Sequence, residues 1–375
     1  SKELISSHLM DMMFEAYLTQ EASHLDPDDI PHTKDPVWIL GKKYSAIHDL
    51  EIIRKDIRSK LWFSYRRNFV PIGDTGHTTD KGWGCMLRCG QMVLAQALIC
   101  LHLGRDWSWS PETRNGSYLR ILHMFEDRRA ATYSIHQIAL MGASEGKEVG
   151  QWFGPNTVAQ VLKKLAVYDE WSSVVIHVAL DNNVIINEIK RSCKWKPLVL
   201  IVPLRLGLSE INPVYVQGLK TFFTFKQSLG VIGGKPNHAL YFIGCVGDEV
   251  IYLDPHTTQP AGLVEDKEQE HEKLLDSSYH CQYASRMHIL HMDPSVAACF
   301  FCHTEEEFDT LCKLIQERLV EPEKQPLFEL CNERPKHWSP MEDGAEEALG
   351  ATACMAFEDF DRQFDDSDDE FELLG

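Results

Sequence analysis

The sequence predicts a mixed α/β (α+β) fold, because helical patterns lie early in the chain and strand-like patterns lie later. The first helical pattern is an apolar repeat that ends at Gly104, a residue type that often terminates helices. The later patterns are short, continuous apolar runs, which are typical of strands buried in a sheet. Of the 375 residues, 44% are hydrophobic, an ordinary share for a folded protein and enough for a real core.

Helices are predicted first along the chain. The apolar spacing from Leu87 to Leu103 predicts one, and Pro155, which suits the first turn of a helix, opens a second that runs through Leu162 and Leu165. A third is predicted from Asn182 to Ile189. Strands are predicted at Val174–Leu180, Leu198–Leu204, Ala239–Val246, Glu249–Leu253 and Ala298–Cys302.

A hairpin is predicted around Gly247-Asp248, since this dipeptide suits a two-residue turn. The strands on either side of it should therefore be antiparallel neighbours. The second of these strands ends at Leu253 and delivers Asp254 and His256 to its end.

The charge is distributed unevenly. The net charge is −19, and residues 341–375 hold thirteen acidic residues against Arg362 alone, which gives −12. A segment of this kind cannot bury apolar surface and repels itself, so residues 341–375 are predicted to be a disordered acidic tail. Residues 1–30 are predicted to be a mobile segment, and residues 31–340 a single folded domain.

Composition excludes several classes of protein. The longest apolar run, Leu198–Leu204, is far shorter than the roughly 20 residues of a membrane span, so neither a span nor a secretory signal is expected. Eleven cysteines, an odd number, indicate free thiols in a reducing compartment, which favours a cytoplasmic location. The acidic balance argues against nucleic-acid binding, because phosphate contacts need clustered Lys and Arg. A basic protein partner fits better.

Cys85 is the first candidate for chemistry. It follows Gly82 and Gly84 and stands at the predicted start of the long helix. The free amides and the positive end of the helix dipole stabilise a thiolate there, and the glycines leave room for a substrate carbonyl. Considered alone, Cys85 could equally be a buried structural cysteine.

Asp254 and His256 are the second candidate, two residues apart after a strand. Residues at this spacing share a face, so the carboxylate can hold one ring nitrogen while the other accepts a proton. A simple turn capped by Asp254 is the alternative, because Asp-Pro is a common turn dipeptide. Combined with Cys85, the pair is the set of nucleophile, base and orienting group expected of a cysteine hydrolase.

These segments resemble the autophagins, the autophagy-related cysteine proteases. The resemblance lies in residues 82–91 and 254–260, and extends to residues 61–67, 151–162 and 228–237. It spans about residues 36–330 and implies a papain-like fold with a small auxiliary subdomain. It also implies a substrate class, the ubiquitin-like autophagy modifiers of the GABARAP and light-chain family.

The resemblance assigns roles to individual residues. It implies that Cys85 is the nucleophile, His256 the base and Asp254 its orienting group. It further implies that Tyr65 stabilises the oxyanion together with the Cys85 amide and with help from Gln91. The remaining implied roles form a gate that admits only glycine before the scissile bond, built by Trp152, Gly233, Gly234, Lys235 and Pro236.

The implied reaction cuts after the modifier's C-terminal glycine. It would mature the precursor and also release the modifier from phosphatidylethanolamine, with transient contact to autophagic membranes. A glycine pair suits a loop that can swing, and an indole beside it excludes a substrate side chain. Without the surrounding motifs, Trp152 would be a core aromatic and residues 233–236 a plain turn.

No cofactor or metal is expected. The segment Cys299–His303 matches a haem-attachment pattern, but it is interpreted as a buried strand. Cys85 and Cys89 have a spacing that can hold zinc, yet no second ligand pair lies nearby. Cys89, one helical turn from Cys85, is a hypothetical redox regulator instead.

The end of the acidic tail carries a possible partner motif. Phe371 and Leu374 are an aromatic and an aliphatic residue three apart, next to acidic residues. An extended segment of this kind can add a strand to a partner's sheet. It is predicted to bind the modifier outside the catalytic cleft, the alternative being an inert solvated end.

The residues also fit two rival functions. The first is an adaptor that binds the same modifiers without hydrolysing them. The second is a transglutaminase-like enzyme that transfers the acyl group to an amine rather than to water.

Overall fold

The computed structural model describes residues 30–262 and 276–335. In this part of the chain a sheet lies between helices on both faces, which confirms the mixed α/β prediction. Residues 1–29 and the whole predicted tail, with Phe371 and Leu374, lie outside the described residues. Ile30, assigned to the mobile N-terminal segment, is buried in the core instead.

The helices and strands are numbered here in chain order. The helices are α1 Leu50–Ser59, α2 Cys85–His102, α3 Gly116–Met124, α4 Ile135–Met141, α5 Pro155–Ala166, α6 Ile186–Cys193, α7 Val216–Phe222 and α8 Glu305–Leu314. The strands are β1 Pro36–Ile39, β2 Lys42–Ser45, β3 Tyr65–Arg67, β4 Val175–Val178, β5 Asn183–Ile185, β6 Leu198–Arg205, β7 Ser228–Gly233, β8 Leu240–Val246, β9 Glu249–Leu253, β10 Thr258–Pro260, β11 Ser285–His288, β12 Ser295–Cys302 and β13 Glu329–Cys331.

The main sheet is mixed. Its strand order is β11-β9-β8-β7-β12-β6-β4, and β1 joins it by pairing with both β8 and β2. All pairs in this sheet are antiparallel except β4 with β6. The predicted hairpin at Gly247-Asp248 is confirmed, since Val246 pairs with Glu249 across it.

Alternate residues of the central strands enter two separate cores. In β6, Val199 and Ile201 face a core shared with α2, α3 and α5, whereas Leu200 and Val202 face a core shared with α6, α7 and α8. In β12 the same alternation places Phe301 in the first core and Phe300 in the second. Burial on both faces explains why these strands are continuous apolar runs in the sequence.

Several elements differ from the prediction, including five helices that no pattern indicated: α1, α3, α4, α7 and α8. The third helix begins at Ile186 rather than Asn182, because Asp181 and Asn182 adopt left-handed backbone angles (φ 51° and 57°) and the next three residues form β5. The central strand β7 was not predicted, since glycines weaken strand signals. Its Gly230 has φ 98°, and a Cβ there would lie 2.4 Å from the carbonyl oxygen of Phe242.

Helix α2 packs on β7 and β8 and is the central helix of its core. It is the one helix among the described residues that is long and apolar enough to cross a membrane, but 83% of it is buried inside the protein. A core helix has these properties, and this one carries Cys85 at its first position.

Candidate active site

Cys85 is the first residue of α2, as predicted, and its side chain is fully buried. The turn before it depends on two glycines. Gly82 has a positive φ of 87°, and a Cβ on Gly84 would lie 2.3 Å from a carboxylate oxygen of Asp80. The thiol therefore starts the helix where free backbone amides and the positive dipole end meet.

His256 and Asp254 form the predicted pair. Nδ1 of His256 lies 2.5 Å from Oδ1 of Asp254, and the backbone N–H of His256 donates to the same oxygen at 2.9 Å. Trp62, which the sequence did not single out, donates its indole N–H to the Asp254 carbonyl at 2.8 Å. The carboxylate thus fixes both the ring and the backbone of the base.

The base interacts with the thiol. Burial lowers the pKa of His256, but its hydrogen bonds to Asp254 and Cys85 outweigh burial and raise the pKa to about 10. Nε2, the nitrogen not held by Asp254, is buried and has no partner that meets strict hydrogen-bond geometry within residues 30–262 and 276–335. This nitrogen is therefore available to exchange a proton with the thiol and with a substrate atom.

Tyr65 completes the predicted group. Its strand β3 pairs with β10, the strand just after His256, and its backbone N–H donates to the Pro255 carbonyl at 2.9 Å. Its ring stands edge-on to the His256 ring at 5.5 Å. Burial, and then the adjacent Cys85, raises the pKa of Tyr65 well above its usual value. The hydroxyl therefore stays protonated and can donate to an oxyanion.

The predicted gate residues 233–236 form the turn after β7, which continues to His238 beside the base. Gly233 is the last residue of β7. The next residue, Gly234, has φ 152°, and a Cβ on it would lie 2.5 Å from the His238 carbonyl oxygen. Lys235 is exposed, Pro236 is buried, and the ring of His238 lies 6.3 Å from that of His256. The sequence did not identify His238 as part of the site.

Trp152 is buried in the same hydrophobic core as Cys85 and Tyr65. Its indole N–H has no hydrogen-bond partner in the part of the chain that the structure describes. Its role in the gate stays a prediction.

Gln91 and Cys89 both lie in buried surroundings. Oε1 of Gln91 accepts from Arg88 at 3.1 Å and Nε2 donates to the Tyr133 carbonyl at 2.8 Å, so its part in the oxyanion site stays a prediction. Cys89 is fully buried, and burial, then Cys85 and Asp254, raises its pKa well above the usual value. A buried, protonated thiol is inert, so this environment argues against the redox hypothesis.

A buried ionic network, which the sequence did not reveal, supports the nucleophile. Asp80 binds Arg88 through both carboxylate oxygens, at 2.8 and 3.0 Å, and also accepts the backbone N–H of Arg66. Asp127 binds the same guanidinium at 3.0 Å. Because Asp80 touches β3, the turn at Gly84 and the first turn of α2, it ties Tyr65 and Cys85 to one fixed framework.

The described residues contain no group of three or more His, Cys, Asp or Glu side chains that could hold a metal ion. Cys299, part of the apparent haem pattern, is buried in β12, as the strand interpretation requires. The arrangement of Cys85, His256, Asp254 and Tyr65 is suited to acyl transfer through a thioester.

Comparison with known proteins agrees with this geometry. Residues 50–314 match the family described as the Peptidase C54 catalytic domain. The chain is 50% identical to Cysteine protease ATG4B of Xenopus laevis, over 93% of this chain and 96% of that protein. It is 48% identical to Cysteine protease ATG4B of Gallus gallus, over 96% and 99%. It is also 48% identical to Cysteine protease ATG4A of Homo sapiens, over 92% and 95%.

Proposed function

We propose, from the premise that this chain belongs to the peptidase C54 family of autophagy cysteine proteases, the autophagins, that it cleaves ubiquitin-like autophagy modifiers after their C-terminal glycine. Membership in the family confirms the papain-like fold and the cysteine protease activity. The observation that carries the proposal is the convergence of Cys85, His256 and Tyr65 at the start of α2.

The first half of the reaction forms a thioester. The sulfur of Cys85 attacks the carbonyl carbon of the glycine, and the carbonyl oxygen becomes an oxyanion that accepts from the Cys85 amide and the Tyr65 hydroxyl. The bond to the leaving nitrogen then breaks, and the His256 imidazolium gives its proton to that nitrogen. Asp254 holds the imidazole in the required orientation throughout.

The second half regenerates the enzyme. Water attacks the thioester, neutral His256 takes its proton, and the glycine carboxylate leaves as Cys85 is released. The same two steps serve a peptide amide in a precursor and the amide of phosphatidylethanolamine in a lipid conjugate. We therefore extend the proposal to modifiers of the GABARAP and light-chain family in both forms, with transient contact of this cytoplasmic enzyme with autophagic membranes.

A restrictive slot for glycine is part of the proposal. Its support is the tight turn after Gly233, where a Cβ on Gly234 would lie 2.5 Å from the His238 carbonyl oxygen. The buried Trp152 indole is the proposed second wall.

The selectivity for glycine can be tested with two precursors that differ only in the residue before the scissile bond. Replacing that glycine by alanine is expected to lower kcat/KM by about 10- to 100-fold, because a methyl group does not fit a closed slot. Intact-mass spectrometry of the products measures the cleavage. Equal rates for the two precursors would show that the slot does not select glycine.

The acidic tail is proposed as a second contact with the modifier, through Phe371 and Leu374. Their spacing suits two pockets flanking an added strand, and the neighbouring acids suit a basic partner surface. Replacing both residues by alanine is expected to weaken modifier binding in calorimetry while leaving kcat on a short peptide substrate unaltered. Unaltered affinity would remove the tail motif from the account.

A further inference from the structure

The turn after β7 brings the side chain of His238 to the catalytic base. His238 and Lys235 are both exposed, and the backbone N–H of His238 donates to the Lys235 carbonyl at 2.9 Å. The ring of His238 lies 6.3 Å from the ring of His256. Neither the acyl transfer nor the support of the nucleophile described above uses His238.

The position of His238 is fixed by the backbone rather than by chance side-chain contact. Gly234 adopts φ 152°, and a Cβ there would lie 2.5 Å from the His238 carbonyl oxygen and 2.6 Å from the Ala239 Cα. Pro236 is buried within the same turn. Because strand β8 begins at Leu240, just after the turn, the backbone of His238 is fixed in position and its ring lies beside that of His256.

The chemistry of the base determines what His238 can touch. His256 must pass its proton to the leaving nitrogen, so the leaving group has to lie against the His256 ring. A phosphate joined to that nitrogen through two carbons and an oxygen lies about 5 Å from the nitrogen when extended. A side chain next to the base is within reach of a phosphate at that distance.

The charges around the turn leave His238 available for such a contact. Asp254 is engaged by Nδ1 of His256, on the ring nitrogen that does not face the thiol. Asp293 is an acidic group near Lys235: burial raises the pKa of Asp293, and the Ser295 backbone N–H and the Lys235 charge partly offset this rise. An imidazole can donate a hydrogen bond to a phosphate oxygen when neutral and adds charge attraction when protonated.

We propose that His238 is a specificity-determining residue that binds a phosphate located two carbons from the scissile nitrogen, on the leaving side of the bond. The inference rests on the proposed function. It ranks the proposed substrates by their leaving group, with those that carry the phosphate cleaved faster. Two leaving groups have this spacing: the phosphoethanolamine part of a lipid, and a phosphoserine that directly follows the glycine.

The test uses modifiers that end at the glycine and carry matched leaving groups. One pair is the ethanolamine amide against the phosphoethanolamine amide, and the other is a serine against a phosphoserine peptide extension. For the full chain we expect kcat/KM to be about 5- to 10-fold higher for a phosphorylated member, a difference that declines as salt screens the contact.

Three variants identify the residue responsible. His238→Ser should reduce the ratio of phosphorylated to unphosphorylated kcat/KM to about one, whereas His238→Lys should keep it above one. His303→Ser is the matched control, since His303 is also exposed but follows the far end of β12. Cleavage of the unphosphorylated amide by each variant shows that the variant is folded.

The possible outcomes distinguish the source of the phosphate and test the role of His238. A His238-dependent preference in the phosphoethanolamine pair identifies the lipid headgroup as the source, and a preference in the phosphoserine pair identifies a peptide. A wild-type ratio of one in both pairs, or a ratio that His238→Ser leaves unchanged, overturns the inference while the proposed function stands. Failure of the wild type to cleave either unphosphorylated substrate overturns the proposed function and the inference with it.

Discussion

Replacing His256 by alanine is expected to lower kcat by about 10³- to 10⁴-fold. The imidazole supplies the proton of the leaving nitrogen and the base for water, and its Nδ1 bond to Asp254 at 2.5 Å fixes the orientation needed for both. Single-turnover cleavage of a modifier precursor measures the loss. Retention of more than a tenth of the activity would mean that another group acts as the base.

The pH profile provides an independent check of the same residue. Because the pKa of His256 is raised to about 10, the imidazolium persists through neutral pH and is lost only as the pH rises through 10. The wild type should therefore show its alkaline limb near pH 10, and His256→Ala should lack that limb.

The loss of kcat in Tyr65→Phe is the matched comparison for the loss in His256→Ala. This variant keeps the ring that lies edge-on to His256 but removes the oxyanion donor. Its expected loss is smaller, about 10²- to 10³-fold in kcat, with KM little changed. A loss as large as that of His256→Ala would indicate that the hydroxyl has a further role.

Replacing Arg88 by methionine is expected to lower the free energy of unfolding by about 3–5 kcal/mol, because it leaves Asp80 and Asp127 as unpaired buried charges. Arg88 itself is buried, so water cannot compensate. Urea denaturation measures the change, and activity should fall with it since Asp80 touches the turn before Cys85.

Arg191→Met is the control for the loss of a guanidinium. Arg191 pairs with Glu333 at the surface, where both side chains are more than half exposed, so the urea midpoint should hardly move. If Arg88→Met were as mild as this control, the buried network would not be stabilising.

Local patterns predicted the parts of the fold that local physics decides. The start of α2 at Cys85 follows from the glycine turn and the apolar repeat, and the β8–β9 hairpin follows from Gly247-Asp248. The i, i+2 spacing of Asp254 and His256 was sufficient to predict their hydrogen bond.

Features that depend on distant parts of the chain could not be predicted in this way. Strand β7 contains glycines that suit close backbone approach in the sheet rather than strand propensity. Arg88 looked like an ordinary polar residue on a helix, because its partner Asp127 is 39 residues away. His238 differs from these cases, because the pairing of β8 with β9, in which Tyr241 lies opposite Leu253, brings it to His256.

Gln91 shows what the sequence could not reveal about a residue assigned by resemblance. It stands six residues after Cys85 on the same helix, and its amide is engaged by Arg88 and by the Tyr133 carbonyl. The second partner is 42 residues away in the chain, so only the fold reveals it. The role of Gln91 in the oxyanion site stays a prediction.

The central claim is that Cys85 performs cysteine proteolysis after glycine. The most direct test incubates the wild type and Cys85→Ala with a modifier precursor that carries residues beyond its C-terminal glycine, and follows intact mass in the presence of a primary amine. We expect loss of only those residues, by the wild type alone, with water added to the glycine. Cleavage by Cys85→Ala, incorporation of the amine in place of water, or binding without cleavage by the wild type would contradict it.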